Sequence, residues 1–141
     1  MLKSESSLVV RYYETDQMAI VHHSNYIRYF ECGRNEMMKK VGLPIEVMEA
    51  NGFMLPVVSV ELHYKTPSRM GDTLTIVSSI KKWPHAKLFV DQEIYNQKGE
   101  LVCTGKVVLC MVDSVTRIPV RLPQLFLDKI APYFTEEEKN N

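Results

Sequence analysis

The chain has 141 residues, 45% of them apolar and 24% charged, which fits one soluble globular domain with a real hydrophobic core. Seventeen basic and 17 acidic side chains balance formally to zero; this argues against a broad DNA or RNA footprint, leaves room for a local phosphate-binding patch, and favours self-association. No apolar run approaches the ~18 residues that span a membrane, and Met1-Leu2-Lys3-Ser4-Glu5-Ser6-Ser7 lacks the apolar segment expected of a secretory signal.

Residues 8–14 (Leu-Val-Val-Arg-Tyr-Tyr-Glu) are rich in β-formers and predict a first strand. A polar turn carrying the carboxylate Asp16 follows and leads into a helix start, with Ser24 or Asn25 as the expected N-cap. Tyr26, Tyr29, Phe30, Gly33, Met37 and Val41 then recur at helical spacing, about four to five turns. Lys39 and Lys40 suit the C-terminal end of the helix dipole, and Gly42 with Pro44 stops the helix. A shorter helix is expected over 44–50, ended by Asn51-Gly52.

Beyond it the period changes to two. Val58, Val60, Leu62 and Tyr64 alternate with polar residues and predict a half-buried strand. Pro67 and Gly71-Asp72 mark a turn, and residues 73–82 form the next strand with Leu74, Ile76 and Ile80 on one face. Trp83 to Ala86 reads as a loop, 87–95 as a strand with Leu88, Val90 and Ile94 inward, and Asn96-Gln97-Lys98-Gly99 as a hairpin turn. Residues 101–112 predict a long strand, apolar on both faces, whose second cover would come from another subunit. A loop from Thr116 to Pro123 and a terminal helix over 123–131 complete the chain. The order of one strand, a long helix and four antiparallel strands predicts an α+β fold in which a five-stranded antiparallel sheet wraps a central helix, as a single domain over 1–141.

The three cysteines, Cys32, Cys103 and Cys110, form no Cys-x-x-Cys pair. An odd count suits a reducing compartment, so the cytoplasm is the expected location, with neither a disulfide framework nor a zinc site. Cys103 and Cys110, an odd number of positions apart in one strand, are expected on opposite faces.

A carboxylate facing a helix N-terminus can perform acyl transfer: the acid attacks or activates water, and helix amides polarise a carbonyl. Asp16 is also well suited to a simple turn role. His23 can orient water, hydrogen-bond an acyl carbonyl or act as a general acid, or be a polar residue beside a cap, while His22 is expected to be exposed. A metal would need a third ligand beside His22 and His23, and neither His63 nor His85 has supporting spacing, so no metal is expected. Tyr12 can donate to the carboxylate or pack as a strand aromatic. Tyr26, Tyr29, Phe30, Met37 and Met38 are candidates for an acyl pocket, and the same spacing suits plain core packing. Glu31 with Arg34 and Glu36 with Lys40 have the spacing of helix ion pairs. No GxGxxG, P-loop or Gly-x-Ser-x-Gly motif is present, and no cofactor is expected.

The segment Tyr12-Tyr13-Glu14-Thr15-Asp16-Gln17-Met18-Ala19-Ile20-Val21-His22-His23-Ser24-Asn25-Tyr26, with Tyr29-Phe30-Glu31, resembles the active-site signature of hotdog-fold acyl-CoA thioesterases. Within them it is similar to the 4-hydroxybenzoyl-CoA thioesterase group and its YbgC-like branch. Tyr64-Lys65-Thr66-Pro67 with Arg69 and Gly71-Asp72 is similar to the second block of that family. The resemblance implies homodimers that join two sheets into one, often paired into homotetramers, with active sites at the dimer interface. It implies Asp16 as the catalytic carboxylate, Tyr12 and His23 as active-site companions, and the backbone amide at His23 as the group that polarises the thioester carbonyl. Many members carry glycine where this chain has Ala19, and alanine is disfavoured if that position needs a positive φ.

Coenzyme A carries phosphates, so Lys65, Arg69, Lys81, Lys82, Lys87 and Arg117 are candidates to dock it. Tyr26, Lys65 and Arg69 are the residues expected to bind substrate. The expected activity is hydrolysis of an acyl-CoA, or of the same thioester on acyl carrier protein. The competing expectations are another hotdog enzyme, such as a hydroxyacyl dehydratase, and a non-catalytic acyl-CoA or acyl-carrier binding module.

Overall fold

The helical spacing that begins at Tyr26 produces the longest helix of the computed structural model, which describes residues 1–140. In chain order the elements are β1 (Leu2–Val9), α1 (Asn25–Lys40), α2 (Ile45–Ala50), β2 (Phe53–Met54), β3 (Val57–Tyr64), β4 (Thr73–Ile80), β5 (Lys87–Tyr95), β6 (Leu101–Cys110), β7 (Val112–Asp113), α3 (Gln124–Ile130) and α4 (Glu136–Asn140). Five strands form one antiparallel sheet in the order β1-β4-β5-β6-β3, and β2 pairs with β7 in a separate ribbon. This is the expected α+β arrangement of a long helix on a five-stranded antiparallel sheet. Among the described residues no helix is long and apolar enough to cross a membrane.

Two glycines set how closely helix and sheet approach. A Cβ on Gly33 of α1 would sit 2.5 Å from Ile76 Cγ2, and one on Gly105 of β6 would sit 2.7 Å from Phe30 Cε2. Between them Gln92, fully buried, donates from Nε2 to the Phe30 carbonyl of α1 and to Ser78 Oγ, both at 2.9 Å, and accepts from Arg34 at 3.1 Å. A buried amide with every polar atom partnered fixes the helix in register on the sheet. The core divides along α1. Tyr26, Tyr29 and Phe30 pack with Leu74, Ile76 and Ile94 near its start, and Met37 and Met38 pack with Leu88, Val90 and Phe126 near its end.

Three expectations are corrected, and the N-cap is found at Ser24 as expected, by position alone. The first strand is Leu2–Val9, and Tyr12–Glu14 forms a 3-10 turn. Pairing with β4, Leu2 opposite Ile80 through Val9 opposite Thr73, recruits the polar run Lys3 to Ser7 into the sheet despite its low β-propensity. Ser24 stands at the N-cap position without a side-chain cap bond, and Asn25 turns its amide to the Glu14 carbonyl. β3 is an edge strand, so Val58, Val60 and Tyr64 are exposed, with Leu62 partly covered. Glu36 pairs with Lys39 at 3.4 Å, whereas Lys40 reaches the Lys3 carbonyl at 2.7 Å.

Cys103 is buried in the core and Cys110 lies on the opposite face of β6; neither forms a disulfide. Burial pushes the Cys103 thiol up to about 11, against an opposing hydrogen bond from the His63 backbone. The folded chain holds this proton more tightly than the unfolded chain. The stabilisation is therefore full below about pH 9 and is lost as pH rises to about 11. Burial pushes the Tyr26 and Tyr29 phenols in the same direction. The urea midpoint is expected to fall over that window, and Cys103→Ala to remove the earliest part of the fall. An unchanged profile in that variant would rule the thiol out.

Candidate active site

Between β1 and α1 the chain builds a miniature hairpin. The His22 amide donates to the Glu14 carbonyl at 2.9 Å, Thr15 bridges Val21, and the Asp16 amide donates to the Ile20 carbonyl at 2.8 Å. Gln17, Met18 and Ala19 form the tip. The Ala19 amide closes a turn onto the Asp16 carbonyl at 3.0 Å, and the Met18 amide donates to Asp16 Oδ1 at 2.8 Å. A three-residue hairpin tip of this kind ends in a left-handed residue, and Ala19 has φ 62°. The turn thus keeps the course that glycine favours, with alanine in its place. The left-handed conformation costs an L-residue roughly 1–2 kcal/mol, while glycine loses roughly 0.4–1 kcal/mol more chain entropy on folding. Ala19→Gly is therefore expected to stabilise the protein by about 0.5–1 kcal/mol in urea unfolding; destabilisation would show that the strain is relieved elsewhere.

Asp16 is partly exposed, and its Oδ2 has no hydrogen-bond partner among the described residues. One oxygen is thus spent on the turn and the other is free for chemistry.

Glu14 holds the hairpin on the helix. Only 8% exposed, it accepts on Oε1 from the Arg11 amide at 2.8 Å and from the Tyr29 hydroxyl at 3.1 Å, and pairs through Oε2 with the Arg11 guanidinium at 3.4 Å. Its carbonyl accepts from His22 N and from Asn25 Nδ2, the latter at 2.8 Å. Burial, then the adjacent Glu14 charge, push the Tyr29 phenol up, so its proton stays on the hydroxyl that donates to Glu14.

The start of α1 is open. Among the described residues no group accepts from the His23 amide, while the Ser24 amide donates to His22 Nδ1 at 3.2 Å. The His22 and His23 rings stack with centroids 4.2 Å apart, and both residues are exposed. Tyr64, at the end of β3, leans over this corner. Its ring lies 6.4 Å from that of His23 and 5.5 Å from that of Tyr26, and its hydroxyl reaches the His23 carbonyl at 3.5 Å. Tyr26 is buried below, and burial pushes its phenol up.

The segment after β3 is stitched to the same corner, for Val21 N donates to the Ser68 carbonyl at 2.8 Å. Lys65 and Arg69 flank Ser68 with exposed side chains. Ser68 is fully buried, and its hydroxyl has no partner among the described residues. Tyr12 projects into solvent, 77% exposed, and does not pack in the core. Asp16, His23, Tyr12, Tyr26, Lys65 and Arg69 thus belong to segments that meet at one end of α1. Lys81 lies elsewhere, paired with Asp91 at 3.5 Å on the far face of the sheet. Sequence reasoning missed the anchoring role of Glu14 and Asn25. Their only signal was a place inside the motif, because their partners are set by the tertiary fold.

A carboxylate with a free oxygen, on a hairpin that leads into a helix start with an unpartnered amide, has the groups to attack a carbonyl carbon, or activate water against it, while the amide receives the oxyanion. YneP of Bacillus subtilis is 34% identical over 125 residues, covering 89% of this chain and 91% of that protein. The acyl-CoA thioester hydrolase YbgC of Escherichia coli O157:H7 is 27% identical, covering 82% and 86%. The structure of the DHNA-CoA thioesterase from Staphylococcus aureus superposes with a TM-score of 0.86 at 31% identity, covering 94% of this chain and 89% of that one. Residues 10–130 match the Thioesterase-like superfamily, and the chain belongs to that hotdog-fold family.

Proposed function

We propose that this chain is an acyl-CoA thioesterase that releases a free carboxylic acid and CoA, with Asp16 as nucleophile or general base. The observation that carries the reading is the free oxygen of Asp16, on a three-residue hairpin that leads into a helix start whose His23 amide is unpartnered. In the nucleophilic route Asp16 Oδ2 bonds to the thioester carbon, the carbonyl oxygen takes the negative charge, and the tetrahedral intermediate expels CoA thiolate to leave a mixed anhydride. Water then cleaves the anhydride and regenerates the carboxylate. In the general-base route Asp16 takes a proton from water, whose oxygen bonds to the thioester carbon; the tetrahedral intermediate then breaks its C–S bond and expels CoA thiolate, and the proton on Asp16 is passed to the thiolate or to solvent. In both, the His23 amide and the positive end of the 16-residue α1 stabilise the oxyanion.

His23 orients the water or the carbonyl, and Tyr12, reaching out from the preceding turn, donates to the carboxylate or the substrate. Tyr26 supports the acyl end from below. Lys65 and Arg69 dock the CoA phosphates beside the same corner. The protein works as a single domain in the cytoplasm, in keeping with its three unpaired cysteines. It forms a homodimer through β3, an eight-residue edge strand that exposes Val57, Val58, Val60 and Tyr64. An unpaired apolar edge is completed by a second copy, and a twofold axis makes that pairing antiparallel.

The test is thiol release from a panel of acyl-CoA and acyl-carrier thioesters, with absorbance monitored for an enoyl product. Saturable release of CoA with free acid supports the proposal. Formation of an enoyl-CoA without thiol release would make the protein a dehydratase, and saturable binding without turnover would make it a binding module.

A further inference from the structure

We infer that His22 is a positioning residue, whose neutral imidazole caps the first turn of α1 and fixes the aim of the His23 amide. The inference rests on the thioesterase reading above, in which that amide receives the oxyanion.

A serine at an N-cap ordinarily turns its hydroxyl to an amide of the first helical turn. Ser24 makes no such bond. Its Oγ lies 2.8 Å from His22 Nδ1, and its amide donates to the same nitrogen at 3.2 Å. An amide N–H can only donate, so Nδ1 carries no proton. The Ser24 hydroxyl then donates as well, and the two donors share one lone pair. The ring is therefore neutral, with its proton on Nε2. It does for α1 what an asparagine or aspartate does when its side chain takes the amide two residues on.

This bond completes a bracket around the oxyanion donor. His22 is held through its amide, which donates to the Glu14 carbonyl at 2.9 Å, and through its carbonyl, which accepts from the Asn25 amide at 2.9 Å. Ser24 is held by the ring. Between them the His23 amide has no acceptor among the described residues. It is a donor left open inside a fixed turn, and a preoriented donor needs no reorganisation when charge develops on a carbonyl oxygen. The His22 ring also stacks on that of His23, with centroids 4.2 Å apart.

Acid undoes the arrangement. A proton on Nδ1 leaves the Ser24 amide facing another donor; the Ser24 hydroxyl can rotate to accept, and the amide cannot. The charged ring also stands at the positive end of the helix dipole. His22 is exposed, so solvent protons reach it. The other titratable and charged groups at this corner are His23, Asp16 on the hairpin, Glu14 with its partner Arg11, and Tyr64 from β3. Lys65 and Arg69 lie on the segment tied to Val21, and Arg28 is the first charged side chain of α1.

Two variants test this by thiol release from whichever of acetyl-, octanoyl- and benzoyl-CoA the wild type cleaves fastest. His22→Phe keeps an aromatic ring and removes the acceptor. Its kcat is expected to fall by roughly 10- to 100-fold, the effect of a misplaced group, with KM little changed. His22→Asn offers the Ser24 amide an acceptor that does not titrate, and is expected to restore most of kcat. The ratio of His22→Asn to wild-type kcat is expected to rise from about pH 8 to about pH 5, the range over which imidazoles gain charge. Asp16, His23 and the other groups are common to both proteins, so the ratio isolates His22. A wild-type rate in His22→Phe, a His22→Asn no faster than His22→Phe, or a ratio independent of pH would each overturn the inference. Heteronuclear NMR of the imidazole nitrogens reads the cap without any substrate. It is expected to show His22 Nδ1 unprotonated at about pH 8, with the Ser24 amide proton shifting as the ring charges. A proton on Nδ1 of the neutral ring would overturn the inference whatever the activity. The expected NMR signature without thiol release from any thioester would instead overturn the thioesterase reading, and with it only the catalytic part of the role of His22.

Discussion

Asp16→Asn is expected to lower kcat on the best acyl-CoA substrate by about 10³-fold while leaving the thermal midpoint within a few degrees of wild type. Asparagine keeps an oxygen that accepts from the Met18 amide, so the hairpin tip retains its turn bond. What it loses is the negative charge on the oxygen that has no partner. It can neither form a mixed anhydride nor take a proton from water. The substitution therefore separates the two roles open to this residue. If Asp16 served only the turn, asparagine would do the same work and the rate would stay at the wild-type level. A steady-state assay beside a melting curve distinguishes the cases.

Gly33→Val is expected to produce the largest loss of stability, about 3 kcal/mol or more out of a total near 5–15 kcal/mol for an ordinary domain. The first added carbon would fall 2.5 Å from Ile76 Cγ2, 3.0 Å from Ser78 Oγ and 3.2 Å from Gln92 Nε2. Ile76 and Ser78 are fully buried in β4, so neither can swing away. Either α1 rises from the sheet, breaking the bond from Gln92 to the Phe30 carbonyl, or β4 bends. Lifting α1 also shifts its first turn, and with it the His23 amide. The measurement is the urea midpoint of Gly33→Ala and Gly33→Val. Alanine gains about 1 kcal/mol of helix propensity over glycine, so a stability no lower than wild type in Gly33→Ala would show that the close approach is not limiting.

The architecture was legible because its signals are periodic. The 3.6-residue recurrence from Tyr26 to Val41 gave α1, and the alternation of Leu74, Ile76 and Ile80, then of Leu88, Val90 and Ile94, gave the inward faces of β4 and β5. The first strand was misplaced for the converse reason. Tyr12 and Tyr13 have strong β-propensity but no strand to pair with, whereas the polar segment Lys3 to Ser7 has β4 beside it. Exposure of Val58 and Val60 followed from the edge position of β3, which alternation along a strand cannot reveal.

At the candidate site the motif placed Asp16, His23 and Ala19 in one segment, and alanine in place of glycine put the course of the turn in question, which the structure answers with a left-handed Ala19. The anchors were hidden. Glu14 is buried by Tyr29, fifteen positions along, and Tyr64 arrives from a strand that begins after α2. Such partners are consequences of the fold, and no local spacing encodes them.

The most direct measurement is a crystal structure of the homodimer with a non-hydrolysable ketone analogue of a straight-chain acyl-CoA. The account predicts the carbonyl oxygen about 3 Å from the His23 amide nitrogen, with the carbonyl carbon facing the free oxygen of Asp16 directly or across one water. A carbonyl bound away from the start of α1, with Asp16 engaged only by the Met18 amide, would contradict it.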